Sequence, residues 1–150
     1  MMEIRSFQPS DESDVIALWD RCGLLRPWND PRKDIARKLQ VRPDLFLVGL
    51  IDGNVVATVM VGYDGHRGWI NYLGVCPSQQ RKGLGREIMA VAEQKLRDEG
   101  CPKINLQVRT CNTRVIDFYR SIGFNLDDVV SLGKRLIEDA PHPSDDTGDR

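Results

Sequence analysis

Val75-Cys76-Pro77-Ser78-Gln79-Gln80-Arg81-Lys82-Gly83-Leu84-Gly85-Arg86 joins an apolar strand to an amphipathic helix through a basic turn carrying two glycines. Such a junction is an anion site. The first amides of a helix have no acceptor inside it, and the aligned peptide dipoles place roughly half a positive charge there. Gly83 and Gly85 let the backbone approach a diphosphate without Cβ atoms in the way, and Arg81, Lys82 and Arg86 add charge with no acid before Glu87. The dipole contributes only about 0.3–2 kcal/mol, so side chains and converging amides must do much of the holding. A nucleotide-triphosphatase loop is excluded, because it needs Gly-Lys-Ser/Thr and Gly83 is followed by Leu84. A dinucleotide fingerprint starting at Gly83 is excluded too, because Ile88 stands where its third glycine belongs. A surface turn can also produce Gly-x-Gly for steric reasons alone.

Outward from this corner, Leu84, Ile88, Ala92 and Leu96 share one face of the helix, which stops at Gly100. Residues 103–108 read as a fifth strand, parallel to the fourth (69–75) through a right-handed crossover. Upstream, 45–51 and 55–61 are apolar, β-branched runs joined by Asp52-Gly53, a hairpin signal. A turn from Tyr63 through Gly68 leads into strand four. Ile4 to Phe7 alternates as a first strand, and Pro9-Ser10 offers a cap for a helix marked by Val15, Leu18, Trp19 and Cys22 and ended by Gly23. Asn29 or Asp30 caps a second helix with Pro31 at its first position and Ile35 and Leu39 on its apolar side. Downstream, Asn112 opens a helix through Val115, Phe118, Tyr119 and Ile122, with Gly123 as its left-handed stop. Residues 129–136 form a candidate last strand weakened by Gly133, and the polar stretch 140–150 reads as a disordered tail. Residues 1–139 are then one domain.

Composition narrows the classes. The 150 residues hold 41% hydrophobic and 29% charged residues, as a soluble globular domain does. No apolar run approaches the ~20 residues of a membrane span, and the start of the chain lacks a secretion pattern, so a cytoplasmic protein without membrane contact is expected. A net charge of -1 gives no general attraction for nucleic acid. Cys22, Cys76, Cys101 and Cys111 lack metal-ligand spacing, and His66 and His142 are far apart, so no metal is expected and the thiols read as small apolar residues.

Gln80-x-x-Gly83-x-Gly85, preceded by Leu73-Gly74-Val75-Cys76-Pro77, together with Asn112, Phe118-Tyr119 and Gly123-Phe124 in that order, resembles the GNAT superfamily of N-acetyltransferases. Around Cys22–Pro31, Gly62–Gly68 and Ser131–Ile137 the chain looks like the small bacterial YpeA-like subfamily, whose acceptor the resemblance does not supply. The resemblance implies an α/β (α+β) fold: a mixed, mostly antiparallel six- or seven-stranded sheet, strands four and five splayed apart, and about four helices. It implies acetyl-CoA as cofactor, with the pantetheine arm in the splay. Leu73, Gly74 and Val75 would meet that arm, and Arg81, Lys82, Gly83, Leu84, Gly85 and Arg86 the diphosphate. Asn112 would bond near the sulfur, or cap its helix, or both. Tyr119 would give the departing thiolate its proton, since a phenol with a reference pKa of about 10 stays protonated at neutral pH. Without the neighbouring motif, Tyr119 would read as a core aromatic beside Phe118.

The base is less clear from the letters. Ribosomal-protein N-terminal acetyltransferases, which residues 73–124 resemble, carry a glutamate where this chain has Gln107, and an amide cannot take a proton. Asn71 and Tyr72 offer no carboxylate. Deprotonation falls to His66 with Asp64 nearby, to water, or to an amine arriving neutral; His66 reads also as an ordinary residue of a Gly-flanked turn. Trp28, Asp64 and Gln107 are candidates for the acceptor side, Trp28 alternatively a lid over the core. Arg26 and Arg67 could receive an acidic substrate. The acceptor that the resemblance implies is an amine, of a small molecule or of a peptide or protein N-terminus, with its identity left open. A silent acyl-CoA-binding sensor and an interaction module, with a possible homodimer through the last strand, are the alternatives.

Overall fold

The computed structural model describes residues 1–139. The tail expected from residue 140 onward lies outside the described residues. Strands β1 (Glu3–Ser6), β2 (Phe46–Ile51), β3 (Asn54–Tyr63), β4 (Gly68–Val75) and β5 (Ile104–Leu106) form one sheet in the order β1-β2-β3-β4-β5. All neighbours are antiparallel except β4 and β5, which run parallel. Helices α1 (Glu12–Arg21) and α2 (Pro31–Lys38) cover one face, and α3 (Leu84–Asp98) and α4 (Thr113–Ser121) the other.

Coverage of both faces explains why β2 and β3 are continuous apolar runs. Leu47, Val59 and Val61 pack with Ile88, Met89, Ala92 and Leu96 of α3, while Phe46 and Val48 pack with Val15, Leu18 and Trp19 of α1 and Ile35 of α2. Asp52 and Gly53 both take left-handed φ, +51° and +78°, as the two-residue hairpin turn requires. Asp30, rather than Asn29, caps α2, accepting from the amides of Arg32 and Lys33 at 2.9 and 3.3 Å.

Among the described residues the sheet has five strands, fewer than the six or seven expected. Residues 129–136 form no strand, and Val130 and Leu132 are 83% and 90% exposed. Consecutive Val129 and Val130 do not alternate, Gly133 interrupts the run, and β5 is only three residues long. The cysteines are free; Cys22, Cys76 and Cys101 are half-buried, while Cys111 is exposed, against the expectation of a buried thiol. No helix among the described residues is long and apolar enough to cross a membrane.

Candidate active site

Two irregularities in β4 open a cleft. Thr58 pairs with Gly74 and Met60 with Asn71, so Val59 alone faces both Tyr72 and Leu73: β4 carries a bulge there, and Tyr72 has φ +51°. A left-handed non-glycine residue costs about 1–2 kcal/mol and persists only where surroundings impose it. Here they do. The Tyr72 ring stacks on Trp19 at 3.9 Å, the Trp19 indole N–H donates to the Thr58 hydroxyl at 2.9 Å, and that hydroxyl donates to the Tyr72 carbonyl at 2.9 Å. Thr58, fully buried, therefore has both its donor and its acceptor satisfied.

On the other edge of β4 the parallel register runs Gly68 with Ile104, Trp69 with Asn105 and Ile70 with Leu106, and ends there. Beyond it the two chains part around a cavity of about 690 Å³. Of the residues singled out from the sequence, Arg26, Leu73, Gln107, Asn112 and Tyr119 line it together. Tyr119 is 8% exposed, held edge-on between Phe118 and Phe124 at 5.3 and 5.4 Å. Burial pushes its phenol pKa well above the ordinary value, and among the described residues its hydroxyl has no hydrogen-bond partner. Asn112 sits at the N-cap of α4 but makes no side-chain capping bond, so its amide remains free for the cleft.

The corner between β4 and α3 lies beside this cleft. Gly83 takes φ +80°, and a Cβ there would meet nothing within 4 Å, so its open side faces away from the protein. The helix that follows has no side-chain cap, leaving its leading amides outward, with Arg81 and Lys82 exposed around them. Two sequence expectations change. Gly85 is small for a different reason: a Cβ there would stand 3.2 Å from the Phe118 ring, so the glycine seats α3 against α4. The Arg86 guanidinium donates to the Ser121 carbonyl at 3.2 Å, so its charge is turned to the end of α4 and its amide faces the loop. Gly74 admits Leu24 and Cys22, whose atoms would lie 3.1 and 3.3 Å from a Cβ. Gln80 donates to the Val75 carbonyl at 3.1 Å and fixes the turn.

The structure does not bring His66 or Asp64 to this cleft. Both are exposed in the turn beyond the opposite end of β4, whose first residue, Gly68, is about 13 Å from Tyr72 at a strand rise of about 3.3 Å per residue. The Asp64 carboxylate accepts from the amides of His66 and Arg67 at 2.8 and 2.7 Å, and those bonds hold its pKa below the usual range: it closes the turn. Trp28 is buried beneath the Arg109 guanidinium, 5.4 Å from the ring centroid, and backs the wall while Asn29 and Arg109 line it. A larger cavity of about 880 Å³ lies along β5 and the C-terminal end of α3; of the residues singled out from the sequence it is lined by Arg67 and Gln107, and the Gln107 amide donates to the Ser131 hydroxyl.

What the letters hid is the place of α2 in the cleft. Asp34, Arg37 and Lys38 line the cleft, and the Tyr72 hydroxyl donates to the Asp34 carboxylate at 2.6 Å. Burial first, and then this bond, push the Tyr72 pKa upward, so the phenol stays a donor. The sequence carried one signal, a polar flank at i, i+3 and i+4 beside the buried Ile35.

Residues 12–124 match the profile described as the acetyltransferase (GNAT) family. An acetyltransferase of Sodalis glossinidius is 53% identical over 139 residues, 92% of this chain and 98% of that protein. The ribosomal-protein-S18-alanine N-acetyltransferase of Escherichia coli superposes with a TM-score of 0.71 at 24% identity, covering 83% and 78% of the two chains. AAC(6')-Iy, solved with a bisubstrate analogue of coenzyme A, superposes with a TM-score of 0.74 at 18% identity, over 91% and 99%. These structural likenesses speak for the fold.

Proposed function

The chain belongs to the acetyltransferase (GNAT) family, and from that premise we propose that it moves an acetyl group from acetyl-CoA to an amine by direct attack in the cleft between β4 and β5. One observation carries the reading: Tyr119, buried, lines this cleft with a hydroxyl that has no hydrogen-bond partner among the described residues. A buried hydroxyl left unbonded costs about 1–3 kcal/mol, which a reacting group in the cleft would offset.

The residues present fit the cofactor. Arg81, Lys82 and the leading amides of Leu84, Gly85 and Arg86 would hold the diphosphate past the open side of Gly83. Leu73, Gly74 and Val75 would meet the pantetheine arm, with Asn112 opposite. When bound, acetyl-CoA supplies the thioester carbonyl that the amine attacks. Tyr119 Oη gives its proton to the departing sulfur and, because burial raises its pKa, holds that proton throughout the working pH range. Among the described residues, Asp34 is the carboxylate that lines this cleft. It orients the Tyr72 hydroxyl, attracts an arriving ammonium, and is the group able to take its proton.

Calorimetric titration with acetyl-CoA, followed by a thiol-release screen over amines, polyamines, amino acids and peptide N-termini, tests the reading. Saturable binding with thiol released by at least one class supports it. Binding with no thiol released across the panel would leave an acyl-CoA sensor, and no binding would overturn both.

A further inference from the structure

Resting on that reading, we propose that the acceptor is a small amine bearing a carboxylate, amino-acid-like, whose carboxylate docks on Arg37 while its amine faces Asp34. Among the described residues, the charged groups lining the cleft are Arg26, Arg37, Lys38 and Arg109 against the single carboxylate of Asp34. A polycation would meet Arg26 there, whose guanidinium bonds backbone carbonyls alone among the described residues. Lys38 adds to this field: it is half-buried, its ammonium donates only to the Val61 carbonyl, at 2.5 Å, and it makes no ion pair among the described residues.

The chain shows what Arg37 receives. The segment after α4 crosses β5 through Lys103–Asp127 at 2.8 Å and reaches the loop before α2, where Arg135 donates to the Trp28 carbonyl at 3.2 Å. It ends with Asp139 on Arg37, two parallel bonds of 2.7 and 2.5 Å from the guanidinium fork to the two carboxylate oxygens. The Asp139 side chain is 3% exposed. Two-point pairing of this kind suits a planar fork and a carboxylate, and no lysine reproduces it. The Arg37 guanidinium also reaches Asp34 at 3.4 Å. A carboxylate receptor and an ammonium receptor therefore stand one helical turn apart on α2, the separation that an amine and a carboxylate only a few bonds apart can bridge. Asp139 occupies the receptor in the acceptor's stead, and the acceptor's carboxylate displaces it.

The test compares matched acceptors with acetyl-CoA: α-amino acids, their α-amides, and dipeptide amides with the same first residue. The free acids should exceed the amides at least tenfold in kcat/KM. In Arg37→Gln that preference should collapse to within about twofold, and in Asp139→Asn the KM for the acids should fall several-fold while that for the amides stays. Dipeptide amides with an acidic first residue matching the acids would move the source to a peptide terminus and overturn the small-molecule assignment. Equal rates for acids and amides, or a preference for polyamines, would overturn the proposal outright. If no amine releases thiol, the acetyltransferase reading fails by itself; calorimetric titration of the same amino acids into wild type and Arg37→Gln then decides this one, by binding that the substitution abolishes or by no binding at all.

Discussion

Tyr119 and the two loop glycines make separable predictions because each is constrained by something different. Tyr119→Phe keeps both edge-on ring contacts and removes only the hydroxyl, so turnover should fall about 10²-fold or more while acetyl-CoA affinity stays within twofold. Since burial raises its pKa, an alkaline loss of activity in the wild type should be unchanged in shape in that variant; a pH-rate profile of each checks this. Gly83→Ala meets no neighbour but adopts a left-handed φ, and should cost about 1 kcal/mol of stability. Gly85→Ala drives a Cβ to 3.2 Å from Phe118 and should cost about 1–3 kcal/mol as α3 and α4 separate; urea unfolding of the two variants gives the order. At this scale the letters were informative about side-chain chemistry and silent about direction. A glycine needed for a ring and a glycine needed for a turn look alike in a string, and Arg86 carries the same charge whether it faces the loop or Ser121.

Element pairs depend on a few buried polar links. Thr58→Val keeps shape but strands the Trp19 indole N–H, buried beside a strand bulge, and frees the Tyr72 carbonyl; about 2–3 kcal/mol should be lost, with a raised KM for acetyl-CoA as β4 relaxes. Asp11 ties the end of β1 to the start of α1, accepting from the Arg5 guanidinium at 2.8 and 3.0 Å and from the Gln8 amide at 2.8 Å. The bonds from Arg5 hold its pKa below the ordinary value against the cost of burial. Its contribution is therefore complete above about pH 4 and is lost as pH falls through the lower folded value. Asp11→Asn should lose about 1–2 kcal/mol at neutral pH and flatten the acid limb of stability, read from melts between pH 3 and 7. Helices and strands themselves were legible, since periodicity, the Asp52-Gly53 turn and the glycine stops are local. The bulge was not: nothing within 69–75 says that Thr58 and Trp19 will hold Tyr72 in a left-handed conformation.

At the scale of the molecule, the two cores hold nothing beyond Phe124 among the described residues. The following segment lies on the surface, joined by polar contacts and with Leu126, Val129, Val130, Leu132, Leu136 and Ile137 exposed. Its amides should exchange at least roughly 100-fold faster than those of β2 and β3 in hydrogen-exchange mass spectrometry; equal protection would mean that it is packed as a strand. What the sequence determined alone was the order of elements, the pairing of a basic Gly-x-Gly corner with a helix bearing Tyr119, and through them the family, because all of these are written in spacings of a few residues. Only the tertiary structure decided which side chains face the cleft. It left His66 and Asp64 at the far end of β4 and brought Asp34 and Arg37 of α2 to the cleft with Asp139 alongside, because those contacts span 38 to 102 positions of chain and are fixed by which face of a helix the sheet buries.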